Sequence, residues 1–247
     1  MAAETQVLIN NEKKYIAKFF SDADETDVKK VDLSTLTWAK HTMTLSGAST
    51  ENFKIGEVIS TAAGHSAVGD GSEFFIVTGF VSGATTVEVV GWDYTNKKAL
   101  AIDDSCSNAD KIVGSVSGLH TETVANSGDL TEHDYSVLVT KIMWATIGCQ
   151  VGIEWDGSTA EKYIAELGGN GSWSMPGNEW PGIGINATGD SGNVLGDIQF
   201  STADQSGTDS YTIIMELKKQ APGYDIPAYE ENRALGYRVD YVLGNFT

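Results

Sequence analysis

The sequence predicts an all-β protein: a β-sandwich of jelly-roll or Ig-like type, with an inserted small β-barrel or β-roll module and an extended C-terminal arm. Three observations predict it. Short runs rich in Val, Ile, Thr and aromatics, each bounded by Gly, Asp, Asn or Ser, recur about every 8 to 15 residues, the habit of sandwiches and barrels. Helix signals are nearly absent. Composition shifts near residues 45, 128 and 220 divide the chain into parts of different texture.

Taken in order, the expected strands begin with Tyr15–Phe20, closed by Ser21 and Asp22, and Val28–Asp32, closed by Ser34. A Gly, Ser and Thr-rich stretch follows with Phe53–Ile59, Phe74–Phe80, Thr86–Val90, Ala99–Ile102 and Lys111–Val116. Longer, more aromatic strands come next: Val137–Ala145, Gln150–Trp155, Ile198–Ser201 and Tyr211–Lys218. Only Thr159–Leu167 invites a helix, through Tyr163, Ile164 and Leu167 ahead of Gly168 and Gly169. As a strand it would instead place Tyr163, Ala165 and Leu167 on one face.

These textures divide the chain into a discontinuous sandwich, residues 1–44 with 129–220, around an inserted β module, residues 45–128. Residues 221–247 form an arm with Pro222 and Pro227 and five aromatics, Tyr224, Tyr229, Tyr237, Tyr241 and Phe246, in polar sequence without strand or helix period. Aromatics of that size, about 150–250 Å² each when packed, are costly to leave in water. The arm is therefore expected either to fold back on its own domain or to dock on a neighbouring subunit.

Across its 247 residues the chain carries 16 Lys and Arg against 34 Asp and Glu, a formal charge of −18. So acidic a chain is a poor binder of phosphate backbones, which excludes nucleic acid as a general partner. No apolar run of roughly 18 residues occurs, and no basic segment leads into an apolar one at the start, so neither membrane span nor signal peptide is expected. Cys106 and Cys149 are too far apart for a Cys-x-x-Cys site and too few for a disulfide scaffold, and read as buried thiols.

One constellation imitates an enzyme. Gly189-Asp190-Ser191-Gly192 resembles the nucleophile motif of chymotrypsin-like serine proteases, Thr61 to His65 resembles the segment around their general base, and Asp103 or Asp104 lies between. Gly64 interrupts the second motif before His65 and Asn193 replaces the expected Gly in the first, so both break at their most specific point. Gly-rich turns explain both segments, and no catalytic residue is assigned. Paired carboxylates for glycoside hydrolysis meet in space, and the sequence does not single out a pair. The acidic run Asp22, Asp24, Glu25 and Asp27 lacks the spacing and Gly of a calcium loop and reads as a solvated turn. His41, His65, His120 and His133 share no metal-ligand spacing and read as surface or turn residues, so no metal or cofactor is expected. Of the tryptophans, Trp144 and Trp155 lie inside strand runs and read as core. Trp173 and Trp180 lie in a Gly and Pro-rich loop with Met175-Pro176-Gly177-Asn178 and are the loop contact candidates, for a ligand or a subunit.

A resemblance joins these pieces. Lys14 to Phe19 and Val28 to Leu36, then Lys141 to Thr146, Val151 to Gly157, Thr188 to Asp190, Gly196 to Thr202 and Asp209 to Lys219 follow in order the strands of small structural proteins of marine tailed bacteriophages. The likeness covers residues 14–44 and 137–219. Within the insert, Asn52 to Ile59, Gly83 to Val87, Gly91 to Asp93 and Lys97 to Leu100 resemble a short β repeat of cyanobacterial phage virion proteins. The resemblance implies a non-enzymatic virion protein, most readily a decoration or cement protein on the outer capsid surface. Its partners would be the major capsid protein or other virion proteins, and a homotrimer is the expected oligomer. A neck, baseplate or tail component of the same fold is the alternative. A host-surface glycan-binding module using Trp173 and Trp180 is a second.

Overall fold

The computed structural model describes residues 3–45, 53–61, 73–81, 83–93, 98–100, 111–114, 121–123, 131–132, 136–157, 162–175, 183–184 and 194–220. All regular structure among them is β-strand. In chain order the strands are β1 (Glu4–Asn10), β2 (Lys14–Ser21), β3 (Val28–Val31), β4 (His41–Thr44), β5 (Val58–Thr61), β6 (Glu73–Phe80), β7 (Thr86–Asp93) and β8 (Lys98–Leu100). They continue with β9 (Lys111–Gly114), β10 (Thr121–Thr123), β11 (Thr131–Glu132), β12 (Ser136–Gly157), β13 (Lys162–Ser174), β14 (Ile183–Gly184), β15 (Val194–Ala203) and β16 (Ser210–Gln220). Every pairing is antiparallel.

The strands form two sheets in two compact units, one of residues 1–36 and 134–222, the other including residues 37–133. Sheet I has the order β1-β2-β16-β12-β15-β3, with β13 and β14 also on β12. Sheet II has the order β10-β9-β5-β6-β7-β4-β11, with β8 on β7. The composition boundary falls at 44, whereas the chain has already left sheet I by Leu36, because His41–Thr44 pairs with Val89–Thr86 of β7.

In sheet I the alternation expected of half-buried strands is plain in β2 and β16. Tyr15, Ala17, Phe19 and Ser21 of β2 face inward, as do Tyr211, Ile213, Met215, Leu217 and Lys219 of β16. The two segments expected as separate strands, Val137–Ala145 and Gln150–Trp155, are one 22-residue strand, β12. Its first part, Ser136–Ile147, pairs with β16, and its second, Gln150–Gly157, with β15. In parallel fashion β2 pairs with β16 and β3 with β15.

The change of partner coincides with a bend. Left-handed residues occur at one level in four neighbouring lines of chain: Asp27 between β2 and β3 (φ 52°), Gly148 in β12 (φ 74°), Gly169 in β13 (φ 64°) and Asp204 between β15 and β16 (φ 61°). At this level the β12–β13 register shifts between Ala145 and Gln150. Such interruptions bend a strand and add twist. The inner faces of the two halves meet here: Phe200 of β15 stands edge-on to Phe19 of β2 at 5.2 Å and to Tyr211 of β16 at 5.9 Å.

Two further expectations change. Thr159–Leu167 contributes a strand, but Tyr163 is exposed while Ile164 and Leu167 are buried. Ala165 opposes Ile153 and Tyr163 opposes Glu154, so Ile164 is an extra residue, a β-bulge that resets the alternation. Phe53–Glu57 is a turn rather than the start of a strand, with Gly56 at φ 87° and the Glu57 carboxylate accepting the Lys54 amide at 2.8 Å.

Sheet II is apolar on both faces. Met43, Leu45, Phe53, Ile59, Phe75, Val77, Val87 and Val89 form one buried cluster, with Phe80 packed against it at 5.4 Å from the Phe53 ring. Val58, Ile76, Val90 and Ala99 form another, with Trp38 against it. Neighbours such as Ile76 and Val77 are thus both buried, the mark of a sheet covered on both sides.

Candidate functional site

The sequence directs attention first to the acidic run after β2, expected as a solvated turn. Asp24 and Asp27 do lie at the surface, accepting the Thr202 and Ser201 hydroxyls at 2.9 Å each. Glu25 does not: it is buried at the bend, and its carboxylate takes Lys30 Nζ at 2.6 Å and the Tyr211 hydroxyl at 2.7 Å. Both side chains of the Lys30–Glu25 pair are about 5% exposed or less (5% and 4%). Lys30 also lies 6.0 Å from the Phe200 ring centroid and 5.9 Å from that of Tyr211. Burial, and then the Glu25 carboxylate, push the Tyr211 hydroxyl well above its ordinary pKa. The backbone is pinned at the same point, Glu25 N to Thr202 Oγ1 at 2.8 Å and Thr202 N to Glu25 O at 2.8 Å. This node ties β2–β3 to β15–β16.

A second cluster secures the exit of β3. Asp197 of β15 accepts the Leu33 amide and Lys29 Nζ, both at 2.9 Å, and Lys29 also reaches Asp32 at 3.0 Å. Burial pushes the Asp197 carboxyl up despite these donors. Burial would also raise Asp32, but the Ser34 hydroxyl and Lys29 outweigh it and hold that carboxyl down. On β12 the Cys149 thiol, buried as expected, donates to Ser210 O at 3.7 Å. Asp209 accepts the Ser206 amide and hydroxyl at 2.7 and 2.8 Å. Among the described residues no group of three or more His, Cys, Asp or Glu side chains is arranged to hold a metal ion.

The outer face of sheet I is different in kind. Cross-strand partners share a face, so Gln6, Lys18, Ile214, Met143 and Ser172 form a row across five strands, followed by Glu4, Phe20, Thr212, Ala145 and Asn170. Met143 is 39% exposed and Ile147, opposite Ser210, is 66% exposed. Glu4, Gln6, Lys18 and Phe20 line a shallow depression at the β1 end. Apolar and aromatic side chains thus stand among polar ones on this face.

Trp173, expected in a loop, is half-buried in β13, opposite Ile142. Trp144 lies on the same face two residues along, its indole over Gly171, where a Cβ would collide with the ring, and its Nε1 donates to Gly168 O at 3.3 Å. Trp155 is in the core as expected, and Trp144 is half-buried. His41, expected at the surface or in a turn, is buried in β4, its Nδ1 3.3 Å from Ala39 O. Tyr224, Tyr229, Tyr237, Tyr241, Phe246 and Trp180 lie outside the described residues, as do His65, Asp103, Asp104 and Ser191 of the protease-like motifs. Sequence reasoning missed Glu25, Lys30 and Lys219 as buried ionisable residues. Only Lys219 carried a signal, its phase with Ile213, Met215 and Leu217.

No protein-family model, no curated protein and no solved structure matches the chain.

Proposed function

We propose that the chain is a non-enzymatic structural protein of a tailed-phage virion, a decoration or cement protein on the outer capsid surface. In this reading residues 1–44 and 129–220 are a jelly-roll or Ig-like β-sandwich, residues 45–128 an inserted β module, and residues 221–247 an arm reaching a neighbour. The chain acts as a homotrimer on the major capsid protein, binding the assembled shell and so stabilising it by mass action. The outer face of sheet I is the single observation that most supports it: Met143 and Ile147 stand exposed there, on the face that Phe20 and Ile214 share, and offer apolar groups for a contact. The buried ionisable groups Glu25, Lys30 and Asp197 join strand to strand, a use consistent with architecture. The phage setting rests on the resemblance of residues 14–44 and 137–219.

Antibody–gold labelling of intact purified virions tests this. Dense label over the head is expected. Label confined to neck or tail would overturn the decoration role in favour of a tail component, and absence of the chain from virions would overturn the virion role itself.

A further inference from the structure

The first and last strands of sheet I's described chain meet at one pair of side chains 209 residues apart: Lys219 Nζ of β16 lies 2.8 Å from Asn10 Oδ1 of β1. Lys219 is 1% exposed and points inward in phase with Leu217 and Met215, opposite the buried Val137 of β12. The backbone around the pair is held from both sides. Lys219 N donates to Lys13 O at 2.9 Å, and within the turn Asn11 Oδ1 accepts the Lys13 and Lys14 amides at 3.0 and 2.9 Å. Glu12 of the same turn is the carboxylate whose charge acts on Lys219.

We propose that Lys219 Nζ attacks Asn10 Cγ, so that the two residues become an intramolecular amide fastening the first strand to the last. The carbonyl bond places Cγ only about 1.2 Å from Oδ1, and small side-chain rotations bring it to the near-attack separation of about 3–3.5 Å. The nucleophile must be the free amine. Burial, opposed by the Glu12 charge, lowers the Lys219 pKa to about 7, so much of it is unprotonated at neutral pH.

The step balances without a cofactor or oxidant. The Nζ–Cγ bond forms and the Cγ–Nδ2 bond breaks. Of the two amine protons, one stays on the new amide nitrogen and the other is transferred to Nδ2, which leaves as ammonia; Glu12, whose charge acts on Lys219, is the candidate carrier that the variants below test. The chain carries out one turnover on itself, which is maturation rather than enzymatic activity, and it is independent of the virion role.

Mass spectrometry of the purified, aged full-length chain tests the linkage. The chain is expected to be lighter than its sequence by one ammonia, and trypsin should release the peptide ending at Lys13 joined to the peptide ending at Arg233. Asn10→Ala and Lys219→Met chains should keep their full mass. A wild-type chain of full mass, with those peptides recovered separately, would overturn the proposal without any variant having to fold. Glu12→Gln should slow linkage by roughly 10²-fold or more, with Glu12→Asp recovering part of the rate. Linkage at the wild-type rate in Glu12→Gln would remove Glu12 from the step.

Discussion

In sheet II the described core is apolar on both faces, and neighbours such as Val89 and Val90 are buried together, with His41 and Glu57 as the buried polar side chains. In sheet I, Ser21, Glu25, Thr146, Glu154, Asp197, Gln199, Asp209 and Lys219 are buried as well. The bend accounts for much of the difference. Gly148 and Gly169 interrupt the ladder within β12 and β13, with Asp27 and Asp204 left-handed in the connections at the same level, and backbone groups released from a ladder must find other partners. Several of these side chains supply or anchor those partners around Thr202, Gly169 and Ser206. A sheet covered on both faces is held by burial, and a bent one by polar bridges whose removal leaves charges stranded.

The largest effect should come from stranding such a charge. Glu25→Ala leaves Lys30 and the Tyr211 hydroxyl buried without their carboxylate, and loss of one partner of a buried ion pair costs about 3–5 kcal/mol. Removing both charges with Glu25→Leu and Lys30→Met should recover most of that loss in urea unfolding. A double variant as unstable as Glu25→Ala would mean the node is held by shape rather than by charge pairing.

In sheet II the corresponding break is a cavity. Ile59→Ala in the Met43, Phe75, Val77 and Val89 cluster should cost about 2–5 kcal/mol. Hydrogen exchange should lose protection in β6 and β7 first, while β2 and β16 keep theirs. Equal loss in both sheets would show that the two units open together.

Glycines sharpen the same contrast at smaller cost. Gly148→Ala forces a side chain into the left-handed region and drives its Cβ into Asp209 Oδ1, displacing a carboxylate that Ser206 requires. Backbone strain of this kind costs about 1–3 kcal/mol, before any loss of the Asp209 bonds. Gly83→Ala, between β6 and β7 at φ +79° with nothing within 4 Å, should sit at the low end of that range, about 1 kcal/mol. Thermal unfolding of the two variants measures the difference, and equal losses would leave the Asp209 contact without consequence.

The pH dependence of sheet I turns on Lys219. Burial lowers the Lys219 amine to about 7 in the folded chain against 10.5 unfolded, and an Asn10→Ala chain, which stays unlinked, should keep the amine depressed, so the unfolded chain holds more protons between those values. Stability therefore rises with pH, by about 1.4 kcal/mol per unit across that window, and this group adds no slope below pH 7. Urea unfolding between about pH 7 and 8.5 avoids most of the titration of the Cys149 thiol, raised from 9.0 by burial, and of Tyr15, pushed up to about 12 by burial. In the linked wild type Lys219 no longer titrates, and that slope should be missing.

The strands β2 and β16 were legible in the sequence because Tyr15, Ala17 and Phe19, and Tyr211, Ile213, Met215 and Leu217, recur at every second position. The bend was not. Gly148 and Gly169 are of a residue type that ends strands, and nothing local distinguishes an end from a left-handed step within a continuing ladder. The bulge at Ile164 placed two buried residues three apart, the spacing of a helix face. Strand β1 escaped notice because Val7 and Leu8 are adjacent and both exposed, leaving no period to read. Lys219 keeps the phase of its strand, but a lysine in a sequence reads as solvent-facing, and only its burial beside Asn10 shows otherwise. Trp173 was drawn into the loop by the neighbouring Pro176 and Gly177, although its strand runs to Ser174.

The smallest effect on stability is expected on the outer face, and there the contrast with the bend is sharpest. Met143 and Ile147 are 39% and 66% exposed, so Met143→Ser with Ile147→Ser removes little buried area and should change unfolding free energy by no more than about 0.5 kcal/mol per site. On the proposed decoration role, with this face as the contact, the same pair should weaken binding to purified capsids at least tenfold in co-sedimentation, because a few well-packed side chains carry most of an interface's energy. Glu25→Leu with Lys30→Met should do the reverse, altering the fold's interior while leaving capsid binding intact. If the outer-face pair binds as wild type does, the contact surface lies elsewhere, and the arm of residues 221–247 becomes the segment to delete.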